Sequence, residues 1–365
     1  MATNFFFHNV TIENFRTFKK LSIGKFKRFN IIGGFNGNGK TSLLESLFFC
    51  LDRRNPAGLI RPLLVRQVVS QTGPTEITSL FNDLGASGKG MLRFRTRAGD
   101  QTIRLTYGEV PPHVSVSLPS EVTTQAAAGR LSGGSRPSLV GINIETIPPG
   151  SDNVSEGAFV MPANNGVLAT FYKTSNEVIP TGQFVSVFNP AAPQEKARLL
   201  SAVIKDRKLS GVIEIMRILS PSLQSLLILQ IGEIPTIHGQ FENGDMLPIA
   251  LLGDGFQSLL ASVIAVITCA GGVVMFDEID ATMHYSVVRQ VWCQIAKLAS
   301  DLNCQIFATS HSRECILSAA EGIRNAGKSQ DFQYLRLERR DREHITTPYM
   351  MKDLENAEEF EVEIR

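Results

Sequence analysis

Eight consecutive residues, Gly34-Phe35-Asn36-Gly37-Asn38-Gly39-Lys40-Thr41, fit the spacing G-x-x-x-x-G-K-[ST]. In that spacing the glycines let backbone N–H groups turn inward around a phosphate, and a helix N-terminus behind the loop adds positive dipole. Lys40 is then placed to reach the outer phosphate oxygens, with Ser42 among the nucleotide-binding residues, and the Thr41 hydroxyl to ligate Mg2+. The chemistry predicted is the binding of nucleotide phosphates with Mg2+.

Two stretches far downstream supply what such a loop lacks. Val273-Val274-Met275-Phe276-Asp277-Glu278 is an apolar run ending in two acids. At a strand end Asp277 can hold the metal through its water shell, while Glu278 can polarise a water for attack on the terminal phosphate. Gln305 to Thr309 is a second apolar run, and it leads to Ser310-His311-Ser312. His311 can there report the terminal phosphate by hydrogen bonding. Leu252-Gly253-Asp254-Gly255-Phe256-Gln257 opens an apolar helix, and a glycine-rich turn at a helix N-terminus is an anion site. The chain has one phosphate loop. The second anion site, at Gly253, Asp254 and Gly255, is therefore expected to cap the nucleotide of another subunit.

These groups can meet only if strands and helices carry them to one edge. Phe29 to Ile32 is short, apolar and β-branched, as a buried parallel strand is, and Thr41 to Leu51 has apolar residues at helical spacing. Upstream, Phe5 to Ile12 and Phe18 to Ile23 read as strands. Arg16 lies between them, where it either stacks on the adenine base or stands solvated on a packed turn. Downstream, Asp52 to Gly58 is a breaker and Leu59 to Ser70 reads as helical. Met91 to Arg97 and Gln101 to Tyr107 flank a hairpin turn. Arg93, Arg95 and Arg97 share one face with Arg104, either as a phosphate-binding strip or, the preferred reading, as a solvated strand face.

From Val110 to about Gly166 the composition turns to Pro, Gly, Ser and Thr, which predicts an irregular insertion. Glu195 to Ile218 is amphipathic at helical spacing, and Pro221 begins a second apolar segment through Leu229. Together these predict a helical lobe, after which Thr236 to Phe241 and Met246 to Ile249 return as strands. The division expected is 1–109, an insertion over 110–235, and 236–365.

Composition bounds the function classes. With 365 residues and 43% hydrophobic content the chain builds a real core, and 36 basic against 35 acidic residues give no global charge that argues for nucleic acid. The five cysteines match no zinc spacing, which predicts reduced, structural thiols and a cytoplasmic setting. No run of 18 apolar residues occurs, so membrane spanning is not expected, and the start MATNFFFHNVTIENF has neither a basic n-region nor a sustained apolar h-region, so export is not expected either.

Taken together, the phosphate loop, the Gly253 turn, the Asp277-Glu278 strand, the following Asp280 to Ser286 segment and the Ala308-Thr309-Ser310-His311-Ser312 switch resemble an ABC-type ATPase of the RecF/SMC/OLD class. More narrowly, Arg16, Asn36 to Glu45, Gly253 to Gly255, Asp277 to Ser286 and Thr309 to Cys315 look like the small OLD-like ATPases of bacterial anti-phage systems, PARIS-like systems among them. The resemblance implies an α/β fold: a P-loop ABC-type core, parallel sheet plus antiparallel β-subdomain, with an inserted helical lobe. It also implies a water-sensing glutamine, for which Gln67 and Gln71 both qualify. Leu131 to Ser135 imitates the signature of these proteins, but Pro137 follows and no helix begins there. At the true signature position Gly253-Asp254 replaces Ser-Gly, and Ala281-Thr282-Met283 stands where relatives often carry Asn-Gly-Leu.

The same resemblance implies self-association into a homodimer or higher oligomer through composite nucleotide sites, and a partner effector such as a toprim-type nuclease. The alternative is a RecF-like repair ATPase that binds DNA without a partner nuclease. A transporter subunit is disfavoured, because the usual signature is absent.

Overall fold

The computed structural model describes residues 5–55, 78–83, 87–97, 99–115, 140–163, 166–186, 191–279, 281–341 and 343–359. Gln67, Gln71, the helix expected over 59–70, the segment 131–135 and Asp280 lie outside them. Contacts divide the chain into two compact units: Met1–His8, Ile23–Leu44 and Pro180–Arg365 form one, Asn9–Ser22 and Glu45–Ile179 the other.

The first unit is built on a six-stranded sheet. Strands β3 (Phe29–Gly33), β9 (Gly182–Ser186), β13 (Val273–Asp277), β14 (Gln305–Thr309) and β15 (Phe332–Arg340) run parallel, and β16 (Glu343–Tyr349) closes one edge antiparallel to β15. Their order is β16-β15-β3-β14-β13-β9. Every residue of β3, β13 and β14 is buried. Parallel strands covered on both faces require such unbroken apolar runs, which is why these three were legible as strands.

Helices α2 (Pro193–Lys205), α3 (Leu209–Met216), α4 (Asp254–Thr268), α5 (Tyr285–Asp301) and α6 (Arg313–Asn325) belong to this unit. Leu200, Val203, Val212 and Met216 share one apolar core with Leu259 and Val263 of α4, Trp292 and Ile295 of α5, and Ile316 and Ile323 of α6. The expected helical lobe is thus corrected: α2 and α3 form, but they pack into the core of the first unit. The apolar segment after Pro221 is not helical either. It is β10 (Leu223–Ile231), which pairs antiparallel with β11 (Ile234–Phe241), itself paired with β12 (Met246–Pro248). A two-residue turn joins β10 to β11, and its first residue, Gly232, has φ 83°, the conformation that lets a hairpin close tightly.

The second unit carries a seven-stranded sheet, ordered β2 (Phe18–Ile23), β1 (Phe7–Phe15), β4 (Lys89–Thr96), β5 (Gly99–Glu109), β6 (Val140–Ile147), β7 (Glu156–Ala163) and β8 (Gly166–Lys173), antiparallel from β4 onward. Buried and exposed residues alternate along β4, as in a sheet with one wet face. Here the irregular insertion predicted over 110–166 is corrected, because β6 and β7 are regular strands within it. The glycines that suggested a loop permit close strand packing. A Cβ at Gly141 would lie 2.2 Å from the Val160 carbonyl oxygen, and one at Gly157 would lie 2.2 Å from the Tyr172 ring. The chain passes between the two units at 8/9, 22/23, 44/45 and 179/180.

The arginine face on this sheet is self-neutralised. Arg93 pairs with Glu13 at 3.1 Å, Arg95 with Asp100 at 2.5 Å and Arg104 with Glu145 at 3.4 Å. Inside the unit Arg53, 1% exposed, pairs at 2.8 Å with both Glu156 and Glu177. The cysteines are free, and four of the five are buried. Burial pushes the Cys269 thiol up to about 12 and that of Cys304 to about 11, which keeps both protonated and inert.

Candidate functional site

The phosphate loop leaves β3 at Gly33 and enters α1 (Lys40–Leu51). Gly33, the last residue of β3, and Gly34, the first of the loop, lie tight against the next strand: a Cβ at Gly33 would strike the Tyr334 hydroxyl at 2.4 Å, and one at Gly34, φ 136°, the Leu337 carbonyl at 2.2 Å. The loop is therefore packed directly on β15. Asn38 adds a second tie, its side-chain amide donating to the Leu337 carbonyl at 2.9 Å. This gives Asn38 an anchoring contact that the motif alone did not suggest.

Gly37 and Gly39 have φ 83° and 92°, left-handed values that turn the loop back on itself. Asn36 is exposed on the outer curve. Lys40 is 6% exposed, and its ammonium donates to the carbonyls of Gly34 at 2.8 Å and Phe35 at 3.3 Å, so it lies across the loop it serves. The first turn of α1 contains no acidic residue. Its N-terminal dipole is thereby left available to a phosphate.

Thr41 and Asp277 come together from opposite ends of the chain. The Thr41 hydroxyl donates to Asp277 Oδ1 at 3.0 Å, and Asp277 is 7% exposed. Among the described residues no group of three or more His, Cys, Asp or Glu side chains is placed to hold a metal by itself. Two hard oxygens, one hydroxyl and one carboxylate, are the donor set of a Mg2+ ion that completes its shell with water and phosphate oxygens. The residues fit that ion.

Glu278 is the first residue after β13 and has φ 54°, a conformation that costs a non-glycine residue on the order of 1–2 kcal/mol. His311 follows β14 by two residues, is half exposed, and holds its Nδ1 3.8 Å from Glu278 Oε2, outside hydrogen-bond reach. Ser310 donates its backbone N–H to the Ile32 carbonyl at 3.1 Å, which ties the switch segment to the loop strand. Ser312 then caps α6, accepting from the Cys315 N–H at 3.3 Å. Sequence reasoning passed over Thr309, whose hydroxyl donates to Asp277 Oδ1 at 2.8 Å and accepts from the Glu278 N–H at 2.9 Å. The signal was present: Thr309 is a polar residue closing an apolar strand.

The signature-like turn lies elsewhere in the first unit, at the start of α4. Gly253 caps that helix with φ 85° and ψ 161°, a region essentially reserved for glycine. This accounts for the missing serine, which could not adopt the turn without strain. Asp254 opens the helix, where its charge already complements the dipole. Nearby, Lys196 of α2 donates to Gln257 Oε1 at 3.3 Å. Burial lowers the Lys196 pKa, against the opposing pull of Asp254. Gly255 is packed under the segment after β13, since a Cβ there would lie 2.8 Å from the Thr282 carbonyl.

Arg16 is held within the second unit. Its Nε lies 3.2 Å from Glu45 Oε2, its guanidinium sits 5.7 Å from the Phe15 ring centre, and its side chain is 9% exposed. Arg16 is thus packed into its turn beside Glu45 and is not a solvated charge there.

A glycine loop between a buried parallel strand and a helix, a threonine on the aspartate of the strand two places away in the sheet, and an adjacent glutamate define a P-loop ATPase with an ABC-type core, an enzyme that hydrolyses ATP. Comparison with known proteins agrees. A family model described as an AAA ATPase domain matches residues 168–316, which include Gly253 to Gly255, Asp277, Glu278 and His311. A second, described as an AAA domain, matches residues 9–72, which include the phosphate loop. A Helicobacter pylori protein described as an ATP/GTP phosphatase is 23% identical over 370 residues, covering 95% of this chain and 96% of that protein. The fold is similar to a solved Smc head bound to the C-winged helix domain of ScpA, with a TM-score of 0.52, 14% identity, and 95% and 99% of the two chains covered.

Proposed function

We propose that this protein is an ATP-driven switch: a homodimer or higher oligomer in which ATP hydrolysis controls an effector protein in anti-phage defence, a toprim-type nuclease being the kind of effector expected. The observation that carries the catalytic part is the convergence of Thr41, Asp277 and Glu278 at one sheet edge. Lys40 and the loop amides hold the phosphates. Glu278 accepts a proton from the attacking water, and His311 senses the terminal phosphate. Mg2+, when bound, neutralises charge on the β- and γ-oxygens.

The oligomeric part is supported by the Gly253 to Gly255 turn, signature-like in sequence, whose contribution to a neighbour's nucleotide would come from its backbone amides, because Asp254 already complements the dipole of α4. Only ATP extends far enough to reach such a turn on a neighbour, so hydrolysis removes the shared ligand and releases the pair. DNA binding without an effector is the less supported reading, because Arg93, Arg95 and Arg104 are already paired with carboxylates. Among the described residues no helix is long and apolar enough to cross a membrane, and no membrane role is proposed.

The test is the solution mass of Glu278→Gln with ATP and with ADP, alone and with the proteins encoded beside it. ATP-dependent assembly or capture of a neighbouring protein supports the switch. A monomer indifferent to nucleotide and partner refutes it, and salt-sensitive DNA binding by that monomer would favour the alternative.

A further inference from the structure

We propose that Thr309 is the positioning residue that couples the metal-binding carboxylate to the catalytic base. The inference rests on the reading of Asp277 as metal ligand and Glu278 as base.

Parallel pairing between β13 and β14 stops at Phe276 and Ala308, one residue short of the two acids. Beyond that point the Thr309 side chain continues the connection. A hydroxyl has one proton, and here it goes to Asp277 Oδ1 at 2.8 Å, which leaves a lone pair to accept the Glu278 N–H at 2.9 Å. The result is a directed chain from Glu278 N–H through Thr309 O–H to Asp277, and each bond polarises the next. On its other side Thr309 pairs with Ile32 of β3, the strand that delivers the phosphate loop. Thr309 itself is fully buried, so water does not compete for its hydroxyl.

Thr41 donates to the same Asp277 oxygen at 3.0 Å. A shift of Asp277 toward a metal shared with Thr41 must therefore move the Thr309 hydroxyl, and with it the backbone of Glu278. That residue, the first after β13, sits at φ 54°, a conformation costly for a non-glycine residue, and its N–H is held there by the Thr309 hydroxyl. Through these bonds Thr309 would tie the aim of Glu278 to the position of the carboxylate that, with Thr41, would hold the metal.

The experiment compares Thr309→Val, which keeps the shape and removes the hydroxyl, with Thr309→Ser, which keeps the hydroxyl. Three quantities are read: kcat and KM for ATP, the Mg2+ concentration that half-maximally tightens a fluorescent ADP analogue, and the melting temperature. For Thr309→Val we expect kcat to fall about tenfold or more with KM changed less than about threefold, and the Mg2+ midpoint to rise several-fold. Thr309→Ser should recover most of both losses. Wild-type kcat and Mg2+ midpoint in Thr309→Val would overturn the proposal, as would a Thr309→Ser variant as impaired as the valine. Should Thr309→Val not fold, Thr309→Cys, a similar size with a weak hydrogen-bonding thiol, takes its place with the same expectations. Glu278→Gln separates the two levels. If it hydrolyses ATP at the wild-type rate, the underlying assignment of the base is wrong; if it is inactive while Thr309→Val is normal, only the coupling is wrong.

Discussion

The hydroxyl of Thr41 donates to Asp277 at 3.0 Å across 236 positions of sequence. Neither residue is distinctive alone, since threonines open many helices and acids end many strands. Their contact joins the phosphate loop to the strand that carries the base, and the consequences can be measured.

Lys40→Ala removes the ammonium that crosses the loop at the Gly34 and Phe35 carbonyls. Hydrogen bonds to charged groups contribute about 1.5–3 kcal/mol each, so losing two phosphate contacts should weaken ATP binding about a hundredfold or more. Calorimetric titration with ATP checks this, and wild-type affinity would remove Lys40 from the site.

Glu278→Gln keeps the backbone N–H that Thr309 accepts and removes only the basic oxygen. We expect nucleotide affinity within about threefold of wild type and kcat lower by about 10²–10⁴. Single-turnover phosphate release distinguishes a loss of chemistry from slow product release.

Gly253→Ser would restore the residue type common at the signature position, yet it should not improve activity. The turn at φ 85° and ψ 161° is strained for any side chain by about 1–3 kcal/mol, although nothing lies within 4 Å of the added Cβ. A lowered urea midpoint with unimproved ATP hydrolysis is the expected pair of results. A stabilised variant would show that the turn relaxes freely.

Arg53→Met leaves two glutamates facing a buried apolar chain in the second unit. Removing one partner of a buried ion pair costs about 3–5 kcal/mol, which urea denaturation would register. Burial acts to raise the Glu156 pKa, but the Ser175 hydroxyl with Arg53 and Arg54 outweighs it and holds the carboxyl below the ordinary range. A group depressed in the folded state adds stability at pH above its unfolded value of about 4.3, and that contribution is lost as pH falls through the folded value. Wild type should therefore lose stability in acid more steeply than Glu156→Gln does.

By itself the sequence determined the elements whose signal is local. The Gly34 to Thr41 loop, the unbroken apolar runs of β3, β13 and β14, and the helical spacing of α1 and α4 are properties of neighbouring residues, and each formed as read. What failed depended on distant partners. Gly141 and Gly157 read as loop because their close neighbours, Val160 and Tyr172, are fixed by strand pairing, and β10 read as helix because only its pairing with β11 makes it a strand. Strand order was likewise invisible, and it is strand order that sets β14 between β3 and β13. That placement gives Thr309 its two acids and brings Thr41 to Asp277, since hydrogen bonds across a sheet depend on which strands lie side by side and no local pattern records it.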